Sequence, residues 1–413
     1  MPSTREYARQ LMERCDVLAV HTMDEGRITR PYGTTALANA RTQLTEWMRD
    51  AGMSTRVDNI GNLFGRYDAD PAATDPKTFL IGGHVDSVVD AGRYDGILGI
   101  LSGIAAVRRL LDAKTRLLFA IEVVAFADEE GNRFHTSFLG SSPAAGLWDH
   151  SWLTLKDDDG VTLEEAIRRS GGDPDALAGD ALNPASLLGF IEVHIEQGPV
   201  LQDRDQPVAA VSSITGSDRA TILLHGMAGH AGTVPMTLRR DALVGAAELV
   251  LAIEQIGRSV PDLVATVGKL DVEPGASNVI AGRIELTLDL RHPDPKARSL
   301  ANLDVRDRLQ EIVSRRGLVS EWIDSPGFSD TACDPTLTDL LRDAIAAEGS
   351  EPISLFSSAG HDAIMLATIT PVTMMFVRCM NGISHNPAEL IVEDDIEVAL
   401  RVLNRFLVTV AQR

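Results

Sequence analysis

Apolar residues recur at helical spacing over Thr35–Met53, where Leu37, Ala40, Leu44, Trp47 and Met48 share one face. Thr78–Ile81 reads as an extended apolar segment that runs into Gly82-Gly83-His84. Gly96–Leu111 is a strongly apolar helix candidate, and Leu117–Ala127 (LLFAIEVVAFA) is a near-continuous apolar run. Runs of that kind, bounded by helices, belong to strands buried on both faces. They predict a mainly parallel sheet flanked by helices.

The texture changes from about Ile214. Ala220–His225, Ala265–Val272 and Arg283–Leu290 (RIELTLDL) alternate as half-buried strands do, and helical stretches fall at Leu238–Ile256 and Ala297–Arg315. That order predicts a compact α+β open sandwich with helices on one face. Ser325–Cys333 reads as a loop, after which Pro371–Val377 is a strand and Glu393–Val410 a closing helix. The fold class expected is therefore α/β: a discontinuous larger domain, residues 1–213 and 330–413, with a smaller domain, residues 214–329, inserted into it.

Composition narrows the function. With 413 residues there is material for two or three domains. The net charge of −21 would repel a polyphosphate backbone, so nucleic acid is not an expected partner, and an anionic substrate needs local cations to hold it. Cys15, Cys333 and Cys379 are too few and too scattered for a disulfide framework or a thiolate metal cluster, and read as buried small hydrophobes. The first seventeen residues contain no apolar signal core, and the run around Ile97–Val107 is too short to span a bilayer. A soluble, cytoplasmic protein with no membrane partner is expected.

The candidate chemistry lies at strand ends. His84-Val85-Asp86 follows one apolar run, and Asp95 stands in Gly92-Arg93-Tyr94-Asp95-Gly96 just before a helix. Another run delivers Asp128-Glu129-Glu130-Gly131, a third ends in His194, and His385 lies in Gly382-Ile383-Ser384-His385-Asn386-Pro387. Singly, an HxD motif, an acidic turn or a strand-end histidine is ordinarily structural. Together they place imidazoles and carboxylates where open parallel sheets gather functional groups. A nitrogen and oxygen donor set without thiolate suits Zn2+, Mn2+ or Co2+. Asp95 is the natural carboxylate to bridge two ions, and Asp86 is placed to accept the other N–H of His84. Glu129 and Glu130, being adjacent, point apart, so that one can bind metal while the other acts as general base.

Gly83-His84-Val85-Asp86-Ser87, Gly92–Gly96, Asp128-Glu129-Glu130-Gly131-Asn132-Arg133-Phe134, His194-Ile195-Glu196-Gln197-Gly198-Pro199 and Ile383–Pro387 stand in the order found in the dinuclear metallo-aminoacylase and carboxypeptidase family. Over nearly the whole chain the sequence resembles its branch of allantoate amidohydrolases, N-carbamoyl-L-amino acid hydrolases and β-ureidopropionases. The resemblance implies two divalent ions per subunit, Zn2+ or Mn2+, with Co2+ and Ni2+ as further options. His84 and His194 would hold one, Glu130 and His385 the other, with Asp95 bridging, Glu129 as base and Asp86 orienting His84.

The same resemblance implies that the inserted domain serves dimerisation and acts as a lid, giving a homodimer. His230 would stabilise an oxyanion. Asn278 and Arg291 would bind a substrate carboxylate, and Gln197 the ureido group. Gly360 and His361 would form an active-site loop. The implied reaction is ureido or carbamoyl C–N hydrolysis, with a lean to allantoate from Val88–Gly92, Val272-Glu273-Pro274-Gly275 and Arg378-Cys379. The sequence departs from its relatives at Gly83, Ser217, Ser358, Ala281 and His135. Ser217, Ser358 and His135 bear on the substrate because they are candidates to line the pocket. Rival readings are a dipeptidase or aminoacylase of the same fold, and a silent scaffold, which predicts loss of a ligand or of the base. A serine esterase is disfavoured, since no GxSxG elbow falls in a strand–turn–helix context.

Overall fold

The computed structural model describes residues 2–325, 327 and 330–412. Pro326, Phe328 and Ser329, within the expected loop Ser325–Cys333, lie outside the described residues. The chain divides into two compact units: Met1–Ser212 with Cys333–Leu355 and His361–Arg413, and Ser213–Ala332 with Phe356–Gly360. The short segment Phe356–Gly360 thus clusters with the inserted part, while the sequence reading kept it with the larger one.

In the larger unit, the strands Ala120–Phe126, Thr78–His84, Leu187–Ile195 and Val372–Val377 lie side by side in that order and run parallel. Antiparallel strands continue the sheet at both ends, Leu63–Tyr67 and Ser54–Val57 at one and Val208–Ile214 at the other. Every residue of Thr78–His84 and Ala120–Phe126 is buried, which is why these runs carry no polar alternation. The helices Thr4–Ala19, Ile97–Asp112, Pro335–Ala347 and Glu393–Val410 pack against one another and join the strands in one continuous apolar core. Cys15, Cys333 and Cys379 are buried free thiols, as expected.

The helix Ile97–Asp112 approaches the sheet closely. A Cβ on Gly99 would lie 2.2 Å from the Gly82 carbonyl oxygen and 2.9 Å from that of Val193. Its N-cap, Gly96, has φ +69°, and a Cβ there would stand 2.5 Å from the His84 ring. Glycine thus supplies both a left-handed backbone and the space into which the imidazole fits.

The smaller unit is an antiparallel sheet ordered Leu270–Glu273, Arg283–Arg291, Ser217–His225 and Val319–Ser325, with Val264–Thr266 also on Arg283–Arg291. Along Arg283–Arg291 every second residue is buried, placing Ile284, Leu286, Leu288 and Leu290 under the helices Ala242–Ser259 and Pro295–Arg316. Two expectations need correction. Ala265–Val272 is two strands, interrupted around Gly268, where a glycine weakens the ladder; Thr287 holds the interruption by bonding Lys269 N through its hydroxyl at 3.1 Å. The helix expected from Leu238 begins at Ala242, because Asp241 caps it through the N–H groups of Leu243 and Val244. No helix among the described residues is long and apolar enough to cross a membrane.

Candidate metal centre

His84 ends the Thr78–His84 strand and His194 lies near the end of its parallel neighbour, so sheet pairing alone carries both imidazoles to one edge. Asp95 faces them from the turn before the Ile97–Asp112 helix. Its Oδ1 is 3.0 Å from His194 Nε2 and 3.4 Å from His84 Nε2, and its Oδ2 is 3.2 Å from His385 Nε2. The two oxygens of one carboxylate therefore address two different sets of donors. His385 Nε2 also lies 3.5 Å from Glu130 Oε1.

Donor atoms within 4.8 Å of one another form the groups His84, Asp95, His194 and Asp95, Glu130, His385, together with His84, Glu129, Glu130 and Glu192, His194, His361. The other ring nitrogens are anchored: His194 Nδ1 is 2.9 Å from the Ile195 carbonyl, and His84 Nδ1 is 3.2 Å from the Asp86 carbonyl and 3.3 Å from Asp86 Oδ1. Such anchoring points each Nε2 at Asp95, where it donates a proton to the carboxylate or, with a cation bound between them, would offer that cation its lone pair.

Asp86 also organises the acidic turn. Its Oδ1 accepts the Glu129 backbone N–H at 3.0 Å and its Oδ2 that of Glu130 at 3.2 Å. Gln197 donates through Nε2 to Asp95 Oδ2 at 3.0 Å. Gln197 and His385 hold left-handed backbones, φ 57° and 53°, a conformation for a non-glycine residue that costs roughly 1–3 kcal/mol and gathers at functional sites.

The electrostatics calls for cations. Burial opposes a charge on His84, yet its hydrogen bonds to Asp86 and Asp95 hold its pKa well above the usual imidazole value. Burial likewise opposes ionisation of Asp95, but His194, His385 and His84 hold it well below the carboxylate range. Burial, with Glu130, Asp362 and Asp86 close by, pushes Glu129 well up, and burial with Asp95 close by pushes Glu130 up to about 7. Carboxylates that recruit protons onto their imidazole partners in this way fit divalent cations, which would satisfy the same oxygens and nitrogens together. The donor set is all nitrogen and oxygen.

The structure thus gathers His84, Asp86, Asp95, Glu129, Glu130, His194, Gln197 and His385. His361 joins them, buried, with its ring 4.6 Å from that of His194. The remaining expected residues lie in the smaller unit. His230 is exposed on the short Gly229–His230 strand, which pairs with Val279–Ile280, and Ala231 N–H donates to the Asn278 carbonyl at 2.9 Å. Ser217 is buried directly across the ladder from Arg291. Arg291 is held by Asp289 through Nε and Nη2, both at 2.8 Å, and its Nη1 donates to the Ser358 carbonyl, two residues before Gly360. Sequence reading gave no role to Ser384, though it stands in the Gly382–Pro387 motif, and did not single out Glu389; both are hydrogen-bonded around Asp95. Their only signal is proximity to His385 in the chain.

A mixed α/β fold with a di-histidine and carboxylate cluster at the carboxyl edge of its parallel strands defines a class of metal-dependent hydrolases. The model of Peptidase family M20/M25/M40 matches residues 80–409, and the chain belongs to that family. It is 38% identical to the probable allantoate deiminase of Oryza sativa subsp. japonica, over 93% of this chain and 84% of that protein. It is 36% identical to the N-carbamoyl-L-amino-acid amidohydrolase of Pseudomonas sp. (strain NS671), over 94% and 96%. Among solved structures, the hydantoinase/carbamoylase family amidase of Burkholderia multivorans superposes with a TM-score of 0.91 at 33% identity, covering 98% of each chain.

Proposed function

We propose that the protein is a two-metal amidohydrolase that cleaves the ureido C–N bond of allantoate, releasing ammonia and carbon dioxide. The observation that carries the two-metal reading is Asp95, whose oxygens face His84 and His194 on one side and His385 on the other. His84 and His194 would hold one ion, Glu130 and His385 the second, with Asp95 between. When bound, such ions supply Lewis acidity toward the ureido oxygen and make water easier to deprotonate.

The chain's own residues do the rest. Glu129, whose buried carboxyl has a raised pKa, takes the proton of the attacking water and returns it to the departing nitrogen. One water is consumed: its oxygen adds to the ureido carbon, the terminal C–N bond breaks to release ammonia, and the carbamate left behind loses carbon dioxide. Asp86 holds the Glu129 turn and the His84 ring in place. Gln197 is assigned to the ureido group, and His230 to the developing oxyanion. Asn278 and Arg291 are assigned to the substrate carboxylate. Arg291 suits that role because Asp289 already aligns its guanidinium plane. Ser217, Gly360 and His361 complete the assignment. The smaller unit is assigned to dimerisation and closure, which sedimentation of the purified protein tests through its mass.

Likeness to the plant allantoate deiminases supports allantoate. Nearly equal identity to N-carbamoyl-L-amino acid amidohydrolases favours a second reading in which the same residues hydrolyse a carbamoyl amino acid. Ammonia release by Mn2+- and Zn2+-loaded protein on allantoate, N-carbamoyl-L-amino acids and N-carbamoyl-β-alanine decides between them. No ammonia from any of these substrates would overturn both readings.

A further inference from the structure

Glu389 lies in the turn after His385 and is 4% exposed. Its Oε1 accepts the backbone N–H of Tyr94 at 2.7 Å and that of Asp95 at 3.2 Å. Its Oε2 is 3.1 Å from Ser384 Oγ, and that hydroxyl is 2.9 Å from Asp95 Oδ2. One carboxylate thus grips the backbone of Asp95 directly and its side chain through Ser384. Two consecutive N–H groups converging on a single oxygen fix the peptide plane from which Asp95 projects. That projection decides which of its oxygens meets which imidazole.

The fit around Glu389 is tight. A Cβ on Gly92 would lie 2.1 Å from Glu389 Cδ, so the Gly92–Gly96 turn closes on the carboxyl with no room for a side chain. The arrangement is costly in itself: burial, and then the neighbouring charge of Asp95, push the Glu389 carboxyl up to about 7. A buried acid beside another acid needs compensating contacts, and here they are the N–H groups of Tyr94 and Asp95 and the Ser384 hydroxyl.

We propose that Glu389 is a positioning residue that locks Asp95 between the two metal positions and ties its turn to the segment carrying His385. The inference rests on the two-metal reading above. It also gives Gly92 a role, since only glycine lets the carboxyl come this close.

The test is a Co2+ titration of the metal-free full chain, followed by visible absorption and equilibrium dialysis, with kcat and KM measured in parallel. Wild type should take up two Co2+. Glu389→Ala should bind one of them about ten- to hundredfold more weakly, with an altered spectrum and a fall in kcat that exceeds any change in KM. Glu389→Gln, which keeps an oxygen for both N–H groups, should recover most of that affinity. Gly92→Ala, which pushes the carboxyl out from the other side, should reproduce the Glu389→Ala spectrum, and combining the two changes should add little.

Wild-type Co2+ affinity and spectrum in Glu389→Ala would overturn the proposal, as would a folded Glu389→Gln as defective as the alanine variant. If Glu389→Ala does not fold, Gly92→Ala decides: unchanged Co2+ binding there overturns it. Wild type taking up fewer than two Co2+ overturns the two-metal reading itself, a result distinct from all of these.

Discussion

Asp86 and Glu129 are joined through the main chain: the Glu129 N–H donates to Asp86 Oδ1 at 3.0 Å. The link ties one buried acid to the backbone of another. Asp86 spends its second oxygen on the Glu130 N–H at 3.2 Å, so a single carboxylate orients two neighbouring acids. Glu130 reaches toward His385, yet it and Glu129 also group with His84, so the two adjacent carboxylates converge on one imidazole instead of pointing apart as the sequence suggested.

Replacing Glu129 with glutamine preserves shape and removes the base. Turnover should fall by about 10²–10⁴-fold with metal content unchanged. Ammonia-release kinetics and elemental analysis on the same sample check both halves. A variant that turns over like wild type ends the assignment of Glu129.

Arg291→Ala should raise KM for carboxylate-bearing substrates and change kcat less, if the guanidinium meets the substrate. Because Arg291 is also bonded to Asp289 and Ser358, a purely structural role has its own signature. It would lower the unfolding midpoint and leave KM where it was.

Gly99→Ala places a methyl group against the carbonyl oxygens of Gly82 and Val193, which are backbone atoms with little freedom to move. The expected loss is about 1–3 kcal/mol, read as a lower urea midpoint. A midpoint equal to that of wild type would mean that the helix stands further from the sheet than described.

The buried Asp58 predicts a pH dependence away from the metal centre. It accepts N–H groups from Gly61 at 2.9 Å and Asn62 at 2.8 Å, yet burial, and then Asp180, push its pKa up to about 7. Unfolded, it titrates near pH ~4. The native state therefore keeps a proton that the unfolded state releases. Its contribution is fully present below pH ~4, is lost as pH rises toward about 7, and is constant above. Asp58→Asn should be less stable overall, because its amide NH2 meets the Asn62 NH2, and should lack that slope. Unfolding free energies measured across the window test it; an unchanged slope in the variant would assign the dependence elsewhere.

Several features were legible in the chain itself. Near-continuous apolar runs marked strands buried on both faces, strict alternation marked Arg283–Leu290, and glycine-flanked His and acidic residues marked the strand ends. These are local signals, since burial pattern and backbone tolerance are written into a few consecutive residues. What the sequence left open was decided by packing between distant segments. Only the parallel neighbours Thr78–His84 and Leu187–Ile195 bring His84 and His194 to one carboxylate, and only the closed turn at Gly92 brings Glu389 onto the backbone of Asp95. Arg291 is expected to bind a substrate carboxylate, and the fold also ties it to the Ser358 carbonyl of a distant segment. A hydrogen-bond partner hundreds of residues away leaves no periodicity, so a single sequence can name the groups that do chemistry but not those that aim them.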